Sequence, residues 1–128
     1  MITEDYVSYE VAKLLKEKGF DEQCRDFYRQ ENGNWLHRTT YEYNYFNLQM
    51  PRWEDCYSCP THQMAMKWLR ETRDIIISIF PTIETDMIVR EDYNYAIYKN
   101  KTVVYQSCST SYEQAVEAAL KYALENLI

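Results

Sequence analysis

The stretch WEDCYSCPTHQMAMKWLRE, residues 53–71, holds the densest set of reactive side chains in the chain. Cys56 and Cys59 stand three apart, Pro60 follows, and His62 lies at the mouth of what reads as a helix. Two chemistries suit that spacing. A CxxC pair at a helix N-terminus can carry a stabilised thiolate and close a disulfide, the basis of thiol redox activity. The same pair can converge two sulfurs on one zinc ion, with His62 as a third ligand. Each reading lacks a part. Thiol redox folds need a buried apolar strand directly upstream, whereas YEYNYFNLQMPRWED is polar and aromatic. A zinc site would need a fourth ligand, and Cys24, His37 and Cys108 are isolated, with no second pair. The plain alternative is that the cysteines are small apolar fillers, with no metal and no cofactor bound.

Other chemistry finds less support. His37 and His62 are the only histidines, and neither accompanies a GxSxG or HExxH pattern. With Gly19 and Gly33 as the only glycines, a glycine-rich phosphate loop cannot be built. Fourteen basic residues against twenty acidic ones give a net charge of −6, which repels a nucleic-acid backbone. The basic residues are scattered singly, mostly beside acids, so no cationic groove is expected. The chain is therefore read as more suited to binding than to catalysis.

The unusual feature is aromatic content, with thirteen tyrosines in 128 residues. Tyr41, Tyr43, Tyr45, Phe46, Trp53 and Tyr57 crowd into one short stretch. Tyrosine and tryptophan give large contact area at low entropy cost, which suits an interface with a protein partner or a second copy. The competing reading places these rings in the chain's own core and rim.

Several local signals say what positions these groups. In SYEVAKLLKEKGF, Ser8 can cap a helix with Val11, Leu14 and Leu15 inward, and Gly19 with Phe20 can close it in a Schellman motif. Asn32-Gly33 is the dipeptide of a type I′ turn, predicting a hairpin of strands from Cys24 to Gln30 and from Trp35 to Thr40 or beyond. Beyond Thr40, period two would put Trp35, His37, Thr39, Tyr41, Tyr43 and Tyr45 on one face. NLQMPRWEDCYS reads as loop, and a helix follows from Pro60 or Thr61 to about Arg73. IIISIF, residues 75–80, reads as a strand buried on both faces and ended by Pro81. YNYAIYK and TVVYQSC pair as a hairpin turning at Asn100 and Lys101. Thr110 with Glu113 offers a capping box for a last helix whose stripe runs from Tyr112 through Ala115, Val116, Ala119, Leu120, Ala123 and Leu124 to Leu127. Its outer positions carry Glu113, Glu117, Lys121 and Glu125.

These elements predict one α+β domain over residues 1–128. Its sheet is antiparallel or mixed, of about five strands, with three helices in the order α-β-β-α-β-β-β-α. No apolar run approaches the roughly 20 residues that span a bilayer, and the acidic start MITEDYVSYE is unlike a signal peptide. Both point to a cytoplasmic chain whose four cysteines stay reduced.

SYEVAKLLKEKGF, YSCPTHQMAMKWLRE and TSYEQAVEAALKYALENLI, taken in that order, resemble segments of a family of small proteins encoded in gut anaerobe genomes and in their phages or mobile elements. That family has no assigned activity. The resemblance implies a phage- or mobile-element-type accessory protein and assigns no site.

Overall fold

The computed structural model describes residues 2–47, 56–83 and 89–128, and the chain divides into two compact units, Met1–Ala65 and Met66–Ile128. Both are α+β. The single sheet of about five strands expected from the sequence is instead two three-stranded antiparallel sheets, with element order α-β-β-β-α-β-β-β-α.

In the first unit, α1 (Tyr9–Glu17) starts where Ser8 accepts the Val11 N–H at 3.2 Å. It stops at Gly19, whose φ of +95° suits a residue without Cβ. There Phe20 N–H donates to Leu15 O at 2.9 Å and Gly19 N–H to Lys16 O at 3.2 Å, the Schellman pair. Val11, Ala12, Leu15 and Phe20 are buried. Strands β1 (Cys24–Glu31) and β2 (Asn34–Asn44) form a hairpin across Asn32 and Gly33, both at positive φ as a type I′ turn requires.

β3 (Cys56–Ser58) pairs with the other side of β1, so the strand order is β2-β1-β3. The sequence pattern predicts loop here. Three residues are too few to show an alternation, and β3 exists because β1 offers it a free edge. Asn47 secures the join: its side-chain amide donates to Phe20 O at 3.0 Å, and its oxygen accepts the Ser58 N–H at 2.9 Å. The N-terminal segment lies antiparallel beside residues 60–62, with Val7 N–H donating to Pro60 O and His62 N–H to Asp5 O.

The unit boundary falls within α2 (His62–Arg73), which Thr61 caps by accepting the Met64 N–H at 3.1 Å. In the second unit, β4 (Ile75–Ile83), β5 (Val89–Lys99) and β6 (Thr102–Ser109) form a meander. Two expectations for β4 are corrected. Ile76 and Phe80 are exposed, so only one face is covered, and the strand runs past Pro81. β4 is an edge strand, where a residue without N–H is tolerated.

Asn100 and Lys101, both at positive φ, turn β5 into β6 where the sequence placed them. α3 (Tyr112–Asn126) covers the face that carries Tyr93, Tyr95 and Tyr105, and the Tyr105 and Tyr122 rings stack at 3.8 Å. Its buried stripe is Ala115, Val116, Ala119, Leu120, Ala123 and Leu124. The cap sits one residue later than expected. Ser111 accepts the Gln114 N–H at 3.1 Å, because Ser-x-x-Gln overlaps Thr-x-x-Glu and the helix begins at Tyr112. No helix among the described residues is long and apolar enough to cross a membrane.

Candidate binding cleft

β1 carries an acid where a strand facing a core would carry an apolar residue. Asp26 is only 4% exposed, between Cys24 and the packed ring of Phe27. Cross-strand register explains its survival there. Thr39 stands opposite on β2 and donates its hydroxyl to Asp26 Oδ1 at 2.6 Å. His37, two residues away on the same face, brings Nε2 within 3.4 Å of the same oxygen. The Tyr6 and Tyr28 rings lie 5.0 Å and 5.5 Å from the His37 ring. Backbone support comes from Cys59, whose N–H donates to Asp26 O at 2.9 Å.

The pairing then breaks. Regular register from Asp26–Thr39 would set Cys24 against Tyr41, but Asn44 stands there, three residues further along β2. A bulge of this kind re-aims side chains. Trp35 stacks on Tyr9 while His37 and Thr39 both reach Asp26, and beyond the irregularity Tyr41, Tyr43 and Tyr45 are 104%, 60% and 43% exposed.

Beneath the bulge lies a cleft of about 380 Å³, lined by Glu4 and Tyr6 of the N-terminal segment, Arg25 and Asp26 of β1, Tyr43 of β2 and Met64 of α2, with Thr61 and Pro60 beside them. That volume falls within the range of small-ligand pockets. Cys24 and Cys59 also reach the lining. Burial, and next the Asp26 carboxylate, push the Cys24 thiol up to about 12 against a smaller opposing pull from the Ser58 side chain, so it stays protonated at neutral pH. Burial raises the Tyr6 hydroxyl too, with the Asp26 and Glu4 carboxylates adding to it. The Cys59 thiol is fully buried and directed at Val7 O, 3.5 Å away. A carboxylate beside an imidazole can hold or move a proton, but no activated nucleophile joins them among the described residues.

The residues singled out from the sequence fall in different places. Cys56 and Cys59 are both fully buried, and His62 is buried at the start of α2. Among the described residues no three histidine, cysteine or acidic side chains come together in a group able to hold a metal ion. None of the four cysteines forms a disulfide, and Cys108 on β6 is exposed.

Of the aromatic stretch, Phe46 belongs to the core, 3% exposed against Phe27 with ring centroids 4.6 Å apart. Its burial follows from its place beyond the end of β2, where the chain turns in toward Asn47. Tyr57 is half-buried, edge-on to Tyr9 and Trp35, which stack at 4.1 Å, and Lys16 Nζ sits 4.9 Å above its ring. Trp53 lies outside the described residues.

Sequence reasoning did not single out Asp26, Tyr6 or Thr39. One signal was available: an aspartate inside a strand is disfavoured, and Asp26 sits at the inward parity between Cys24 and Tyr28. No family model matches the chain, and neither curated proteins nor solved structures give a significant match.

Proposed function

We propose that the chain is a non-catalytic interaction module, a small cytoplasmic accessory protein of the phage or mobile-element kind, which meets a protein partner through the bulged end of β2. The observation that carries this reading is the exposure of Tyr41, Tyr43 and Tyr45. Only one other tyrosine, Tyr112, is exposed, so three of the four fall within five residues. Rings held in water gain nothing from folding, whereas at an interface they supply rigid contact area and a hydroxyl for hydrogen bonding. Four cysteines outside any disulfide suit a reducing compartment.

The test is a photo-crosslinking side chain at position 41, with position 117 on α3 as control, in cells of the source organism. A discrete partner is expected at 41 and not at 117, and its purified form should lose at least tenfold in affinity when Tyr41, Tyr43 and Tyr45 all become serine. Crosslinks equal at both positions, or a partner indifferent to the triple change, refute the reading.

A further inference from the structure

The cleft beside Tyr43 adds chemistry to the partner. We infer that it receives an arginine or lysine side chain of that partner, its cationic head meeting Asp26; this rests on the interaction reading above. Asp26 is nine-tenths buried, yet both of its contacts, from Thr39 and His37, fall on Oδ1. Oδ2 is not among the fully enclosed atoms left without a partner, and Asp26 lines the open cleft, so this oxygen faces the opening. A buried carboxylate needs its lone pairs satisfied, and a charged donor does so best. The lining also includes two aromatic residues, Tyr6 and Tyr43, a residue type whose ring attracts a cation.

The remaining charges in the lining are Glu4, which adds to the attraction, and Arg25, which opposes it. Both are exposed. Glu4 and Arg25 offset one another in sign, which leaves the Asp26 carboxylate as the net charge of the lining. The net charge of −6 steers a basic segment toward this surface and repels an acidic one.

The probes are two blocked tripeptides, acetyl-Gly-Arg-Gly-amide and its glutamate counterpart, with free spermidine as a third arm, followed by amide-resolved NMR on the full chain. The arginine peptide should give saturable shifts at Tyr6, Asp26, Tyr43 and Thr61, and the glutamate peptide none. Asp26→Asn keeps an oxygen for Thr39 but turns the cleft-facing position into a donor, and should weaken arginine binding at least tenfold. Tyr43→Ala, at an exposed position of β2, should weaken it three- to tenfold.

No saturable shift, equal response to both peptides, or indifference to both substitutions overturns the inference. Spermidine binding tighter than the arginine peptide overturns the assignment to a protein side chain. If the arginine peptide binds as expected but crosslinking at position 41 finds no partner, the cation site stands and the tyrosine interface fails. A crosslinked partner with no arginine response has the opposite meaning.

Discussion

Replacing Cys24 with alanine should change how stability depends on pH more than it changes stability itself. Burial, and then Asp26, raise this thiol from 9.0 in the unfolded chain to about 12 in the fold. A group whose pKa is raised on folding contributes its full share below the unfolded value, and that share is lost as pH climbs toward the folded value. The window is therefore pH 9 to 12. Near pH 10.5 the unfolded thiol is almost wholly ionised and the folded one is not, which favours the unfolded chain by about 2 kcal/mol.

Alanine removes the titrating group and leaves a small cavity, costing about 1–2 kcal/mol at neutral pH. Urea unfolding of both proteins, followed by tryptophan fluorescence with reductant present at pH 7.5 and about 10.5, reads the difference. The tyrosine hydroxyls that burial also raises, Tyr6, Tyr9 and Tyr95, are common to both proteins and cancel. Wild type should be the more stable at neutral pH and lose that lead by pH 10.5. A stability gap that stays constant within about 0.5 kcal/mol would show that Cys24 ionises as readily in the fold as out of it, and the account of its burial would be wrong.

Two further predictions concern backbone and cap. Lys101 holds φ +65° in the β5–β6 turn, a region where glycine is at ease, so Lys101→Gly should raise stability by about 0.5–1 kcal/mol, seen as a later urea midpoint. Ser111→Ala should cost about 1 kcal/mol by removing the acceptor for Gln114 N–H, while Thr110→Ala should stay within about 0.5 kcal/mol; thermal melts that reverse this order would move the cap back to Thr110.

Features written in neighbouring residues are legible in the sequence itself. Ser8 with Val11, Gly19 with Phe20, Asn32 with Gly33, and Asn100 with Lys101 each settle a helix end or a turn from a few adjacent positions, and each holds in the structure. The α3 stripe was legible for the same reason from Ala115 to Leu124, whereas Tyr112 and Leu127 at its expected ends are not buried, and two overlapping boxes left the helix start ambiguous by one residue. Features that depend on distant pairing were not. β3 is strand only because β1 lies beside it, and the division into two sheets follows from such pairings. Asp26 acquires its meaning from Thr39, thirteen residues away across a hairpin. Its neighbours in sequence give no hint that a hydroxyl and an imidazole converge on one of its oxygens. Period two sets Trp35, His37 and Thr39 at alternate positions of β2, but nothing local announces the register shift opposite Cys24 and Asp26.

The unequal burial of the four thiols has a practical consequence. Cys24, Cys56 and Cys59 are buried and Cys108 alone is exposed, so the native protein should take up one equivalent of a maleimide dye at a known position on β6 without mutagenesis. That makes the second unit addressable for fluorescence or spin labelling. Air oxidation should likewise yield a single species, two chains joined through Cys108. A dimer that vanishes on adding reductant is this covalent product and not an assembly held by the tyrosine surface.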